Sequence, residues 1–367
     1  MLEMYKNVGK TAGSIKERQA VVSEIAKASA EHSKFVDGLL SKFSPEDRRK
    51  VLEGLKEQRE NEGIKKAVAE SYDMLANVND YDDSELNVFS GLGTGCTTLD
   101  NNYLYGFRPG QLIMVGGGSG LGKTTVVMHW CLDWVLQGKS IAWFALEDDV
   151  EEEMGKFKPM VRGRGLLEEN LASYGGSFKL FPVERSGNIR KHPDNFKDAV
   201  RAYKILYNTD VVVLDMLNNV VAQNSSKSDE IMDDFLHSLR DIAIELNIVV
   251  IVTSMMREAS GINAKEKFNN QFNPSYHEIY GMSTSSYAVQ KVITLSKVPT
   301  EACPNFVDGQ FLNGQPSKFS PYKRYIAVHV PKIRQGRMTP SGGEVLEIEY
   351  GDRGKSLIIR DKGFYEW

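Results

Sequence analysis

The 367-residue sequence has few cysteines, no long apolar run and no excess of basic residues. Its three cysteines, Cys96, Cys131 and Cys303, lie far apart, which excludes a disulfide framework and a zinc-ligand spacing and favours a reducing compartment. No apolar run approaches the ~18 residues that a membrane-spanning helix needs. The N-terminus also lacks the apolar core of a signal peptide. We therefore expect a soluble, cytoplasmic protein that contacts no membrane.

Charge is nearly balanced, with 45 Lys and Arg against 49 Asp and Glu and a formal net charge of −4. A global basic field for nucleic acid is therefore absent, and any contact with a polyanion must be local. The composition is 41% hydrophobic and 26% charged, which is ordinary for a globular protein. The length allows one large domain and a smaller region, and no internal repeat is visible.

The hydrophobic pattern divides the chain. Residues 1–78 carry apolar residues at helical spacing and predict a small helical N-terminal region, and the polar, acidic residues 79–90 indicate a linker. In residues 91–367, short apolar runs alternate with helical patterns, and the pattern becomes β-rich after residue 300. Such alternation is typical of buried parallel strands joined by crossover helices. We predict an α/β domain with a mainly parallel twisted sheet and a C-terminal antiparallel β extension.

The segment GGGSGLGKTT, residues 116–125, satisfies the P-loop pattern between a predicted strand and a predicted helix. Its glycines let backbone N–H groups turn towards phosphate oxygens, and the helix N-terminus adds its dipole. Lys123 is expected to reach the β- and γ-phosphates of ATP, and Thr124 to bind Mg²⁺. The predicted nucleotide-binding residues are Gly117, Gly118, Ser119, Gly120, Leu121, Gly122, Lys123, Thr124 and Thr125.

Two acidic residues end predicted strands of this sheet. DVVVLD, residues 210–215, has the Walker B form, so Asp215 is expected to hold Mg²⁺ with Thr124. FALEDDVEEEM places Glu147 at the carboxyl end of the strand after the P-loop helix, where sites form in parallel sheets. We interpret Glu147 as the base that orients and deprotonates water. The acids after it are expected to start the next helix as solvated residues.

With these residues, the chain resembles a RecA-fold ATPase of the hexameric replicative helicase group. That group includes DnaB-type bacterial helicases and the helicase half of phage primase-helicases. The resemblance covers roughly residues 90–355 and rests on four motifs in order: TTLDNNYLYGFRPGQLIMVGGGSGLGKTT, FALEDDVEEEM, VVVLDMLNNV and PKIRQGRMTPSGG. It implies a RecA-like P-loop NTPase core, a homo-hexamer in bacterial or phage-infected cytoplasm, and movement from 5′ to 3′ on DNA.

The resemblance also assigns roles. Lys332 and Arg334 alternate on a predicted strand and so point the same way, and in the family they reach a neighbouring subunit's ATP as an arginine finger and its partner. Tyr350 resembles the aromatic that stacks on adenine. The helix around residues 63–77 resembles the linker helix that docks on the next subunit. Single-stranded DNA would contact two polar segments, at Asn224, Lys227, Arg257, Lys265, Lys267 and Asn269.

The chain also departs from the family. Met255 stands where the family has a polar γ-phosphate sensor, so Ser254 or Arg257 serves instead or sensing differs. Tyr280 replaces an Arg of the phage group, and the N-terminal region matches no primase. Three functions therefore stay open: a replicative helicase with primase, polymerase or loader as further partners, a RecA-type recombinase or recombination mediator that forms a filament, and an ATP-gated DNA-binding or loading protein without motor activity.

Overall fold

The computed structural model of the chain describes residues 91–167, 171, 173–181, 194–220, 228–256, 274–282, 287–298, 306–307, 310–311, 323–334, 337–340 and 342–366. All of them belong to the second of the two units into which the chain divides, Val88–Trp367. The predicted helical region 1–78, with its linker helix, and the linker 79–90 lie outside the described residues. Their boundaries stay predictions.

The elements follow the predicted alternation of strands and helices. The helices are α1 (Thr97–Leu99), α2 (Lys123–Leu136), α3 (Val150–Gly163), α4 (Asp194–Tyr207) and α5 (Ser228–Leu246). The strands are β1 (Leu112–Gly117), β2 (Ser140–Ala145), β3 (Ser177–Phe181), β4 (Val211–Asp215), β5 (Val249–Met255), β6 (Lys291–Lys297), β7 (Phe306–Val307), β8 (Gln310–Phe311), β9 (Lys323–Ile333), β10 (Gly342–Gly351) and β11 (Ser356–Glu366).

Nine of the described strands form one sheet in the order β11-β10-β9-β6-β1-β5-β4-β2-β3. The strands from β6 to β3 pair in parallel, whereas β9, β10 and β11 pair antiparallel. β7 and β8 pair only with each other within the described part of the chain. The predicted fold, mainly parallel with an antiparallel C-terminal extension, is confirmed.

Both faces of the sheet are covered, which explains why its strands are apolar throughout. On β1, Ile113 and Val115 belong to the core that contains the apolar side of α2, while Leu112 and Met114 belong to the core that contains α5. All six residues of β1 are buried, as are all six of β2 and the first six of β5. In the described part of the chain, no helix combines the length and hydropathy needed to cross a bilayer.

The direction of the strands defines two ends of the sheet. The parallel strands all finish at one end, which we call the carboxyl end, and they begin at the other, the amino end. Because β9 pairs antiparallel with β6, it starts at the carboxyl end and finishes at the amino end. Residues at the two ends of β9 therefore lie on opposite sides of the domain.

Candidate nucleotide-binding site

The P-loop forms a glycine-rich turn between β1 and α2 at the carboxyl end. Gly120 and Gly122 have φ angles of +67° and +89°, in the left-handed region that other residues rarely adopt. The turn directs the start of α2, with its free N–H groups, into a cavity of about 250 Å³. The cavity is lined by Ser119, Gly120, Gly122, Lys123, Thr124, Thr125, Glu147, Asp148, Lys156, Met216, Met255 and Arg324.

The Lys123 side chain crosses the P-loop and binds the backbone at its start. Its ammonium donates hydrogen bonds to the carbonyl oxygens of Gly117 at 3.0 Å and Gly118 at 3.3 Å. Burial lowers the pKa of Lys123, and the carboxylates of Asp215 and Glu147 oppose that shift. The ammonium thus stands at the cavity with carbonyl acceptors that phosphate oxygens can replace.

Thr124 and Asp215 meet as the Walker B pattern predicts. Thr124 Oγ1 donates to Asp215 Oδ2 at 2.7 Å, and Thr253 Oγ1 donates to the other carboxylate oxygen. Burial raises the pKa of Asp215, while these two hydrogen bonds oppose the rise. A buried carboxylate beside a hydroxyl, with no lysine or arginine hydrogen-bonded to it among the described residues, is a donor set that suits Mg²⁺. The residues present therefore fit the expected metal.

Glu147 follows β2 directly and lines the same cavity, with its side chain exposed at the cavity mouth. Partial removal from water raises the pKa of Glu147, and the charges of Asp148 and Asp215 raise it further. Lys123 and Lys156 oppose that rise. A carboxyl group with a raised pKa at this place has the properties of a general base.

The acids after Glu147 correct one expectation. Asp149 is the N-cap of α3 and accepts from Glu152 N at 2.9 Å, and Glu151 and Glu152 are exposed in the first turn, as predicted. Glu153, however, is only 3% exposed, so the expectation that all these acids are solvated was wrong. The first turn of α3 turns this residue inwards, and burial raises the pKa of Glu153 to about 7.

Lys156 is a residue of this site that sequence reasoning missed. It lines the cavity, contacts the carboxylate of Asp148, and lies 3.4 Å from Glu153 Oε1. Burial acts to lower the pKa of Lys156, but the bond to Asp148 and the charge of Glu153 outweigh burial and raise it. The available signal was its place on the helix that follows Glu147, three residues after Glu153.

Arg324 is the second missed residue. It lies at the start of β9, hence at the carboxyl end, and its guanidinium donates to the carbonyl oxygen of Gly120 in the P-loop. Tyr350, the predicted adenine contact, does not line the cavity. It is 39% exposed on β10, two residues after Ile348, which lies 3.9 Å from the position a Cβ on Gly122 would take.

Lys332 and Arg334 lie at the amino end, away from the P-loop. Arg334 N donates to Gln290 O at 2.9 Å, just before β6, and the ammonium of Lys332 lies 5.7 Å from the ring centroid of Tyr276. Burial lowers the pKa of Lys332 to about 8, and Arg334 adds to that shift. Across the sheet Arg334 is level with Leu112, about 16 Å from Gly117 at ~3.3 Å per residue. Lys332 is level with Met114, about 10 Å from Gly117 on the same scale.

Met255, at the predicted sensor position, does line the cavity. Ser254 is fully buried and donates to Asn218 Oδ1 at 3.2 Å and to Tyr280 O at 3.0 Å. Asn218 also accepts from Met255 N at 2.9 Å, which links the segment after Asp215 to the end of β5. Two alternatives were expected for the sensor. Ser254 already bonds to Asn218 and Tyr280 and does not line the cavity, and Arg257 lies outside the described residues.

The predicted DNA-contact residues all lie outside the described residues: Asn224, Lys227, Arg257, Lys265, Lys267 and Asn269. The described chain stops at Val220 after β4 and at Met256 after β5. Both of these points are at the carboxyl end, because β4 and β5 are parallel strands that finish there.

Comparison with known proteins agrees with this fold and cavity. The pattern of the AAA domain family matches residues 95–258, which include the P-loop, Glu147 and Asp215. A DnaB-like replicative helicase, solved in a study of its interactions with primase, aligns with a TM-score of 0.53 at 14% identity over 85% of this chain and 76% of that one. A separately solved ATPase domain aligns with a TM-score of 0.52 at 14% identity, covering 79% of this chain and 99% of that one.

The chain thus contains a P-loop ATPase domain with the RecA-like fold that it shares with the ATPase domains of these solved structures. A curated relative refines this class: the DNA helicase/primase of Enterobacteria phage T3 is 31% identical over 189 residues, 47% of this chain and 33% of that protein. The chain spans about a third of the length of that relative, so the activity of the whole relative does not transfer directly.

Proposed function

We propose that this chain is an ATP-dependent replicative DNA helicase that assembles as a homo-hexameric ring. In this proposal ATP is hydrolysed at the interfaces between neighbouring copies, and hydrolysis moves the ring along single-stranded DNA. The support comes from the RecA-fold domain, from the helicase/primase similarity over 189 residues, and from the separation of Arg334 from the P-loop of its own copy. That separation is the observation that carries the proposal.

Each copy contributes one half of the reaction from its carboxyl end. The P-loop N–H groups and Lys123 hold the phosphates, while Glu147 orients a water and accepts its proton. Thr124 and Asp215 would hold Mg²⁺, which would supply positive charge to offset the negative charge of the triphosphate. Arg324 contacts the loop on the side of the antiparallel strands, and Tyr350, further along β10 on that side, is the residue we assign to the adenine.

The other half comes from the amino end of the neighbouring copy. Arg334, level with Leu112 across the sheet, cannot reach its own P-loop, because about 16 Å of β1 at ~3.3 Å per residue lies between them. Lys332 lies two residues before Arg334, on β9, and acts as its partner. Placed against the carboxyl end of the next copy, the guanidinium stabilises charge on the transferred phosphoryl group. Repetition of one such heterologous contact closes a ring or continues as a filament.

DNA contact is assigned to the two segments that leave β4 and β5 at the carboxyl end. Asn224 and Lys227 in the first, and Arg257, Lys265, Lys267 and Asn269 in the second, would contact phosphates without reading bases. Repetition around a ring gives several such contacts despite the net charge of −4. A primase, a polymerase or a loader is the further partner class that this function implies in the cytoplasm.

Mixing two inactive variants tests the shared site. Lys123→Ala disables the P-loop half and Arg334→Ala the finger half, so we expect each alone to turn over almost no ATP. In an equimolar mixture, about one quarter of interfaces pair an intact P-loop with an intact finger, since each side is chosen at random. Turnover should therefore recover to about a quarter of the wild-type rate.

The matched control mixes Lys123→Ala with Glu147→Gln, whose lesions lie in the same half. No interface in that mixture is complete, so its turnover should stay at the level of the single variants. Co-assembly is verified by affinity capture of one tagged variant. If Lys123→Ala and Arg334→Ala co-assemble without any recovery, or if Arg334→Ala alone keeps the wild-type rate, the trans assignment is wrong.

Two DNA assays separate the helicase from its alternatives. A replicative helicase unwinds a forked duplex that has a 5′ tail without any homologous partner strand, whereas a recombinase or mediator does not. Single-stranded DNA accelerates ATP turnover by a motor but not by an ATP-gated loading protein. Images of particles with nucleotide and single-stranded DNA show closed rings in the first case and filaments in the second.

A further inference from the structure

A second cavity, of about 380 Å³, opens at the amino end of the sheet. It lies between the segment before β1, the start of β6, the residue after β9 and the helix α5. Its polar lining consists of Arg108, Gln111, Arg240, Gln290, Lys291 and Arg334. The cavity therefore includes the proposed finger Arg334, but most of its lining has no role in the proposed function.

The lining is strongly positive. Four of the described lining residues are basic, and none of those described is acidic. Arg240 Nε is buried and has no hydrogen-bond partner among the residues that the structure describes. Burying an unpaired donor of a charged group costs free energy, so the cavity is arranged for an anion that supplies the missing acceptor.

Hydrogen bonds hold this lining in place. Arg108 N donates to Gln111 Oε1 at 3.0 Å, and Leu112 N donates to Gln290 Oε1 at 2.7 Å. Arg334 N donates to the backbone oxygen of Gln290 at 2.9 Å. The segment before β1, the start of β6 and the end of β9 are thus tied together, which preorganises the charges around the cavity.

Lys291 fixes the remaining wall. It is 2% exposed, and its ammonium donates to the carbonyl oxygens of Leu104, at 2.7 Å, and Gly106. Burial lowers the pKa of Lys291 to about 7, the charge of Arg108 lowers it further, and Asp100 opposes both. An anion in the cavity would favour the charged ammonium, so the lining adapts to what it binds.

We propose that this cavity binds the phosphates of a nucleotide held by a neighbouring copy, and that Arg240 contacts those phosphates together with Arg334. The inference rests on the proposed function, which supplies the neighbouring nucleotide. A triphosphate matches the cavity because its several negative charges need several cations in one place, and Arg240 and Arg334 reach it from two different elements. Arg240 is thereby a phosphate-binding residue that acts across the interface.

DNA phosphates are the weaker choice of ligand. The two segments assigned to DNA leave the sheet from the ends of β4 and β5, at the carboxyl end, whereas the cavity is at the amino end. In the proposed assembly the amino end of one copy faces the P-loop of the next. The nucleotide is thus the polyanion that this arrangement brings to the cavity.

Mixing variants of low activity shows whether Arg240 belongs to the P-loop half or to the finger half of the shared site. Arg240→Gln keeps a polar, hydrogen-bonding side chain, although a shorter one, and removes the charge. We expect its ATP turnover to fall about 10- to 100-fold, the loss of one charge-assisted hydrogen bond, with nucleotide binding at the P-loop unchanged. Mixed with Lys123→Ala it should recover activity, and mixed with Arg334→Ala it should not. A variant that merely folds badly would recover with neither.

Arg201→Gln is the matched control, since Arg201 pairs with Glu245 of α5 outside the cavity and its loss should leave turnover unchanged. Wild-type turnover by Arg240→Gln would overturn the inference, as would recovery with Arg334→Ala. Unchanged turnover without DNA, combined with weaker binding of single-stranded DNA, would assign the cavity to DNA and also overturn it. In these cases recovery between Lys123→Ala and Arg334→Ala would still uphold the proposed function, so the two failures are distinguishable.

Discussion

The buried carboxyl group of Glu153 predicts a specific dependence of stability on pH. Burial raises the pKa of Glu153 from its ordinary value of 4.5 to about 7, and its Oε2 has no hydrogen-bond partner among the described residues. Between these two pH values the folded chain keeps a proton that the unfolded chain has lost. Stability therefore falls as pH rises through this window and is lowest above about pH 7.

The size of the effect follows from the shift. At ~1.4 kcal/mol per pKa unit, the ionised carboxylate costs the folded state about 3 kcal/mol above this window. Glu153→Gln keeps the shape and removes the titration. Its free energy of unfolding should equal that of the wild type near pH 4, exceed it by about 1 kcal/mol near pH 5, and exceed it by about 3 kcal/mol near pH 8.

Denaturant unfolding followed by tryptophan fluorescence measures this difference, because Trp130, Trp134 and Trp143 are fully buried in the domain that contains Glu153. Glu152→Gln, one residue away and exposed, is the control and should follow the wild type at all three pH values. If the wild type and Glu153→Gln keep the same difference in stability from pH 5 to pH 8, the carboxyl group does not titrate with folding and the reasoning is refuted.

Three further predictions concern α3 and the nucleotide site. Gly163→Ala should destabilise the domain by about 1–3 kcal/mol, because its Cβ would lie 2.1 Å from a carbonyl oxygen of β11. Gly155→Ala in the same helix, where a Cβ meets no described atom within 4 Å, should instead stabilise the domain by about 0.5–1 kcal/mol. Denaturant titration compares the two variants. Lys156→Gln removes a charge that lowers the pKa of Glu147, so the acidic limb of the pH–turnover profile should move to higher pH, and an unmoved limb would contradict this. Asp215→Asn should abolish turnover and remove the dependence of nucleotide affinity on Mg²⁺, as measured by titration with a fluorescent ATP analogue with and without the metal.

The sequence predicted the elements whose local pattern agrees with their final environment. The segment SDEIMDDFLHSLRDIAIEL, which forms the helix Ser228–Leu246, is one of the predicted helical patterns, because its apolar residues repeat at helical spacing along one face. The P-loop and the strands ending near Glu147 and Asp215 were equally clear, since buried parallel strands are apolar on both sides. Spacing along the chain then placed three separate motifs around one cavity.

The sequence of strand β6, KVITLSK, mixes apolar and polar residues and by itself suggests a half-exposed strand. Its polar residues Lys291, Thr294 and Ser296 are nevertheless buried. Ser296 Oγ lies 2.7 Å from His329 Nε2 of β9, and the Lys291 ammonium binds the segment before β1. Lys156 and Arg324 were missed for a similar reason. Their partners, Asp148 and Gly120, are reached through helix packing and strand order, which no local pattern specifies.

If Arg334 acts on a neighbouring copy as proposed, the number of complete active sites depends on how the row of copies ends, because Lys123 and Arg334 lie at opposite ends of one sheet. An open row of copies leaves one P-loop without a neighbouring Arg334 at one terminus and one Arg334 without a neighbouring P-loop at the other. It therefore has one complete active site fewer than it has copies. Closing the row recovers that missing site without any new residue. Short assemblies lose most from staying open, and dilution below the association range should silence all of them together.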